Sequence, residues 1–185
     1  MNSCKLANKL FALLFETKKS KTAAFGLFGL LTACAGSFWL GEKNTAPNSY
    51  LSATLLNVAD GDTLTVQISG EKCRVRLFGV DAPELKQAFG AESRDFLKKL
   101  LTKRLTLECQ TKRDHYNRLV CDVYTANNLW VNESLVANGW AWHYATYSNN
   151  PNLAQAEQLA RRAQKGLWQS NNPTPPWLWR KKNRH

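Results

Sequence analysis

Five short runs of β-forming residues, each stopped by a cluster of polar turn residues, constrain this chain most. Residues 54–59 (TLLNVA) and 63–68 (TLTVQI) flank Asp60-Gly61-Asp62, a strand–turn–strand pattern. CRVRLFGV (73–80) alternates in hydropathy and then meets Asp81-Ala82-Pro83-Glu84. Pro83 biases Ala82 away from helix, so that strand ends in a loop. RLTLECQ (104–110) and RLVCDVY (118–124) are two further strands joined across 111–117. Helical periodicity is interleaved and follows. AESRDFLKKLLT (91–102) puts Phe96, Leu97, Leu100 and Leu101 on one face, and residues 130–138 suit a short helix. NLAQAEQLARRAQKG (152–166) carries a stripe of Leu153, Ala156, Leu159, Ala160 and Ala163 and is closed by Gly166. Strands first, with helices interleaved and following, predict a small α+β domain on a compact antiparallel barrel.

A length of 185 residues leaves room for one domain and some tail. The domain is expected at 51–171, behind a polar linker at 42–50. Residues 172–185 form a basic Trp/Pro tail, expected as an extended strap whose Trp177 and Trp179 pack on the body, with a solvated tail as the alternative. Upstream, residues 22–41 are uncharged and follow Lys18, Lys19 and Lys21, the pattern of an export signal or membrane anchor over 1–41. Within it, Leu31-Thr32-Ala33-Cys34 resembles a lipobox, which makes Cys34 a candidate for lipidation. An uncleaved signal-anchor and a cleaved, secreted form are the alternatives. All three place the body outside the cytoplasm. Export permits a disulfide among Cys73, Cys109 and Cys121. Cys109 and Cys121 flank the 111–117 turn and are the better-placed pair, with buried free thiols as the alternative.

The chain holds 25 Lys+Arg against 14 Asp+Glu, a net charge of +11. Six lysines and two glutamates of residues 1–50 account for +4, leaving +7 on the body. A body this basic attracts polyanions, nucleic acid and anionic lipid head groups among them; a solvated basic surface is the alternative. Only 10 Gly and 6 Pro exclude a collagen-like chain. No repeat suggests a solenoid. A single uncharged stretch excludes a multi-span membrane protein.

Three polar clusters stand where apolar strands end: Asp60-Gly61-Asp62-Thr63, Arg76 followed by Asp81-Ala82-Pro83-Glu84, and Asp114-His115-Tyr116-Asn117-Arg118. Singly, each reads as a turn or a solvated strand residue. Together they supply different chemistry. Asp62 and Asp81 are hard oxygen ligands at the ends of strands that can pair, as a Ca2+ site needs. Glu84 follows closely enough to orient or deprotonate a water, and Arg76 and Arg118 are bidentate donors for phosphate oxygens. That set suits phosphodiester hydrolysis.

In A-D-G-D-T (59–63), R-L-F-G-V-D-A-P-E (76–84) and D-H-Y-N-R (114–118) the sequence resembles the thermonuclease, or staphylococcal nuclease-like, family. V-N-E-S-L-V-x-x-G (131–139), the glutamate-to-G-L-W segment 157–168 and P-P-W-x-W-R (175–180) extend the likeness over residues 51 to about 180. The resemblance implies a five-stranded OB-fold barrel with three helices. It also implies Ca2+-dependent cleavage of DNA and RNA by water attack on phosphorus, leaving 3′-phosphates. By the same resemblance, Asp62, Asp81 and the backbone carbonyl of Ala82 would hold Ca2+. Glu84 would be the general base, and Arg76 and Arg118 would bind the scissile phosphate. Tyr116 and Tyr147 would lie along the nucleotide. Family members often carry Thr where Ala82 stands; a backbone ligand survives that change, whereas a hydroxyl contact does not. DNA and RNA are the expected partners, with the membrane through the N-terminal segment, and the chain is expected to be a monomer. The rival reading is an inactive OB module, tethered to the membrane, that binds nucleic acid or protein without cutting. It should have lost acidic or arginine members of the set, and all five side chains are present.

Overall fold

The structure, a computed structural model, describes residues 50–183. The leader, its lipobox with Cys34, and all but the last residue of the linker lie outside the described residues. Five strands close a barrel in the order β1 (Tyr50–Val58), β2 (Thr63–Ile68), β3 (Glu71–Leu77), β6 (Leu119–Thr125) and β5 (Arg104–Cys109), with β5 pairing back onto β1. β2 and β3 meet in a two-residue turn, Ser69-Gly70, with both residues at positive φ (49° and 86°). That turn geometry matches the right-handed twist of the flanking strands. β1 changes register between Leu55 and Asn57, a bulge that bends it round the barrel.

The antiparallel expectation needs one correction, because β3 and β6 run parallel, pairing Val75 to Leu119 and Leu77 to Cys121. A parallel pair needs a long crossover. The chain spends that crossover on β4 (Val80–Asp81), helix α1 (Gly90–Leu100) and β5. The barrel interior is filled by Leu64, Val66, Val75, Leu77, Leu107 and Val123, all 1% exposed or less.

Helices α2 (Val131–Ala137) and α3 (Pro151–Arg162) cover one side, and β7 (Trp142–His143) pairs with β4 outside the barrel. α3 starts at Pro151 behind Asn150, whose side chain accepts from the Asn152 amide at 2.9 Å. Its buried stripe is narrower than expected. Leu153, Ala156 and Ala160 are buried, whereas Leu159 is 55% exposed and Ala163 lies beyond the helix end. Gly166 does not close α3. It opens a 3-10 turn (Gly166–Gln169) at φ 53°, and there the backbone of Gly139 passes too close for any side chain.

Three helices were expected, and the described residues hold four. Residues 176–182 of the tail are helix α4 (Pro176–Lys182) rather than an extended strap. Pro176 stands in the first turn, where its missing N–H costs nothing and its fixed φ favours helix. The expected packing of Trp177 is present: its ring stacks on Tyr144 (5.5 Å, 4° between planes) and meets Trp142 edge-on at 6.4 Å. Trp179 joins Gln87, Phe89 and Trp142 along a shallow cleft. Cys109 and Cys121 face each other across the β5–β6 ladder and are joined by a disulfide, and Cys73 is buried. No helix among the described residues is long and apolar enough to cross a membrane.

Candidate active site

The three polar clusters converge at one end of the barrel. Asp62 enters β2 from a turn in which its own amide donates to Asp60 Oδ1 at 3.0 Å. Arg76 projects from the end of β3, and Asp81 from β4, just past the turn that follows. Arg76 ties the two acids together: its Nη1 lies 2.6 Å from Asp62 Oδ2 and its Nη2 donates to Asp81 Oδ1 at 2.8 Å. The Nη1 contact is a close ion pair, and that nitrogen is shut off from solvent. Asp62 Oδ2 also accepts the Ala82 amide at 2.8 Å, which pins the start of the Asp81–Glu84 loop to the β2 turn.

Arg118, just before β6, joins the same group through a hydroxyl. Its Nη1 donates to Thr63 Oγ1 at 3.2 Å, and that hydroxyl donates to Asp62 Oδ1 at 3.1 Å. Behind it, Asp114 Oδ2 accepts from Arg118 Nε at 2.7 Å and Asp114 Oδ1 from the Arg118 amide at 2.9 Å. Burial alone would raise Asp114, but these hydrogen bonds outweigh it and hold the carboxyl below its ordinary range. Asp114 therefore orients Arg118 as a fixed anion.

Asp60 and Asp81 are pushed the opposite way. Asp60 is raised to about 6, first by burial and then by the charge of Asp62. Asp81, fully buried, is raised by burial and by Asp62, against the pull of Arg180 and Arg76. Charge is thus concentrated at this end of the barrel with less compensation than its burial demands.

Of the residues singled out from sequence, Asp62, Arg76, Asp81, Ala82 and Arg118 form one connected cluster. Glu84 is joined to it only through Arg180, whose Nη1 donates to Glu84 Oε1 at 2.9 Å and to Asp81 Oδ1 at 3.1 Å. Tyr116 is 64% exposed beside Arg118, whose guanidinium carbon lies 5.3 Å from the ring centre. Tyr147 is 67% exposed and packs edge-on against Tyr144, which itself feels the charges of Asp81, Arg180 and Arg76. Sequence reasoning missed Asp60, Asp114 and Arg180 as members of the site. Asp60 and Asp114 stood inside quoted motifs, and Arg180 ended the P-P-W-x-W-R run. Among the described residues no three His, Cys, Asp or Glu side chains converge as a ready-made metal cage.

Residues 74–170 match the family model described as staphylococcal nuclease homologue. The chain belongs to the staphylococcal nuclease family, and with it to the nucleases. An uncharacterized endonuclease of Escherichia coli is 38% identical over 126 residues, covering 68% of this nuclease-family chain and 82% of its own length. One of Haemophilus influenzae is 35% identical over 164 residues, covering 88% of this chain and 85% of its own. A probable staphylococcal-like nuclease of Oryza sativa subsp. japonica is 42% identical over 119 residues. The match takes in 64% of this chain but only 32% of the rice protein, so the nuclease-family chain spans about a third of that relative.

Proposed function

We propose that the chain hydrolyses phosphodiester bonds of DNA and RNA with Ca2+ as its metal, leaving 3′-phosphates. The observation that carries this reading is the meeting of Asp62, Arg76 and Asp81, from three separate elements, within 2.6–2.8 Å. Asp62, Asp81 and the Ala82 carbonyl are a hard oxygen set of the kind Ca2+ takes, with water completing the shell. When bound, the metal would polarise a phosphoryl oxygen and neutralise developing charge.

Everything else falls to the chain's own side chains. Glu84, partly exposed at the rim and paired there with Arg180, takes the proton of the attacking water on a carboxylate oxygen. The guanidiniums of Arg76 and Arg118 hold phosphate oxygens and stabilise the negative charge that grows on them. Tyr116, exposed beside Arg118, offers a face to the nucleotide, and exposed Tyr147 offers a second one. The test is digestion of plasmid DNA and of RNA by the full-length protein with Ca2+ and with chelator. Cleavage that needs Ca2+ and leaves 3′-phosphate ends is the expected result. Tight DNA binding with no cleavage at any Ca2+ concentration would instead make the chain a binding module.

Export belongs to the same proposal, resting on the uncharged run 22–41 behind three lysines and supported by the Cys109–Cys121 disulfide. Intact-mass analysis of the membrane fraction should find a lipidated chain starting at Cys34 or an uncleaved anchor. Full-length protein free in the cytosol would reject both forms.

A further inference from the structure

The C-terminal helix delivers a cation into the acid cluster from the far end of the chain. Arg180 Nη2 donates to Asp81 Oδ2 at 2.9 Å, and Nη1 is shared between Asp81 Oδ1 (3.1 Å) and Glu84 Oε1 (2.9 Å). Asp81 Oδ1 also accepts from Arg76, so both of its lone pairs are taken, and Oδ2 carries the second Arg180 bond. The two arginines differ in how firmly they are built in. Arg76 is 13% exposed within a strand, whereas Arg180 is 36% exposed on a surface helix.

That helix does not depend on Arg180 for its seat. Trp177 stacks on Tyr144, and Gln87 Nε2 donates to the Thr174 carbonyl at 2.5 Å just upstream. The long Arg180 side chain can therefore leave the acids while α4 stays docked. An ion ligated by Asp81 would sit within a few Å of the guanidinium, where two cations repel.

We propose that Arg180 is a tethered stand-in for the metal: it neutralises Asp81 and Glu84 in the metal-free protein and is displaced when a divalent cation binds. The inference rests on the proposed role of Asp81 as a metal ligand. It makes the affinity of the site for metal a property of the tail, and it keeps Glu84 capped until metal arrives.

Calorimetric titration of the full-length protein with Ca2+ tests this without any reading of cleavage. Arg180→Gln should bind Ca2+ roughly tenfold more tightly than the parent, the scale of one charge-assisted hydrogen bond. Arg180→Lys keeps the charge but loses the fork, so it should fall between the two and serves if the glutamine variant folds poorly. Lys182→Gln, exposed on the same helix, should match the parent, and Asp62→Asn should weaken binding in every background. Near-ultraviolet circular dichroism reports whether the Trp177–Tyr144 stack survives. If Arg180→Gln binds Ca2+ no more tightly than the parent while Asp62→Asn still weakens it, displacement is wrong and the metal reading stands. Weaker Ca2+ binding together with a raised KM for DNA would make Arg180 a substrate-binding arginine instead. Equal tightening by Lys182→Gln would reduce the effect to net charge and overturn the proposal. No Ca2+ binding by any member of the series would remove the metal reading and this inference together.

Discussion

Glu84 and the two forked cations differ in what a conservative replacement preserves. Glu84→Gln keeps the shape and the contact with Arg180 but cannot accept a proton. Its kcat should fall by roughly 10²–10⁴-fold while affinity for DNA stays near the parent's, as single-turnover kinetics beside filter binding would show. Arg76→Lys keeps the charge, yet one ammonium cannot span Asp62 and Asp81 as the fork does. It should lose cleavage steeply and also melt at lower temperature, because two buried carboxylates lose their common partner. Asp122 offers a test remote from the site. Burial raises its carboxyl to about 6, although it accepts from Trp130 Nε1 at 2.9 Å, and Glu108 adds to the rise. A raised folded-state value contributes stability below the unfolded value near 4, and that contribution is lost as pH climbs through 6. Asp122→Asn keeps an acceptor for the indole and removes the charge. It should therefore stabilise the fold at pH 7–8 by about 1–3 kcal/mol, an advantage that shrinks towards pH 4, as urea melts at several pH values would show.

At the level of elements, alternation made the strands legible, since a barrel wall with one face inward imposes period two on its residues. The parallel β3–β6 pair was not legible, because strand direction depends on where the connection returns and not on the pattern within either strand. α3 was over-read for a different reason. Ala163 follows the helix end, and Leu159 falls outside the narrow Leu153–Ala156–Ala160 stripe that meets the body. α4 was hidden by its prolines, which mark a tail when counted and a helix start when placed at its first turn. The disulfide, by contrast, was anticipated from two cysteines flanking one turn. It fastens the ends of β5 and β6 just where the 110–118 loop carries Asp114 and Arg118. Reduction should lower stability by about 3 kcal/mol for a loop of this size. Denaturant melts with and without reductant, on protein first shown to be fully reduced, would measure it.

For the whole molecule, the spacing of three short clusters was enough to bring Asp62, Arg76, Asp81 and Arg118 together, because Asp62, Arg76 and Arg118 stand at ends of strands of one small barrel and Asp81 follows β3 by a short turn. Arg180 could not be placed that way. Its position follows from aromatic packing of Trp177 against residues 142 and 144, a long-range contact with no periodic trace in the sequence. The closed loop from Cys109 to Cys121 has a further consequence for the molecule as an object. It forms a covalent ring, exposed at Thr111, Lys112 and Tyr116, and Lys112, Arg113 and Arg118 offer trypsin three sites within it. A single tryptic cut there should add the mass of one water and leave the protein running as one band without reductant. With reductant the same sample should part into two fragments, so damage to the segment that presents Arg118 would go unseen on an ordinary non-reducing gel.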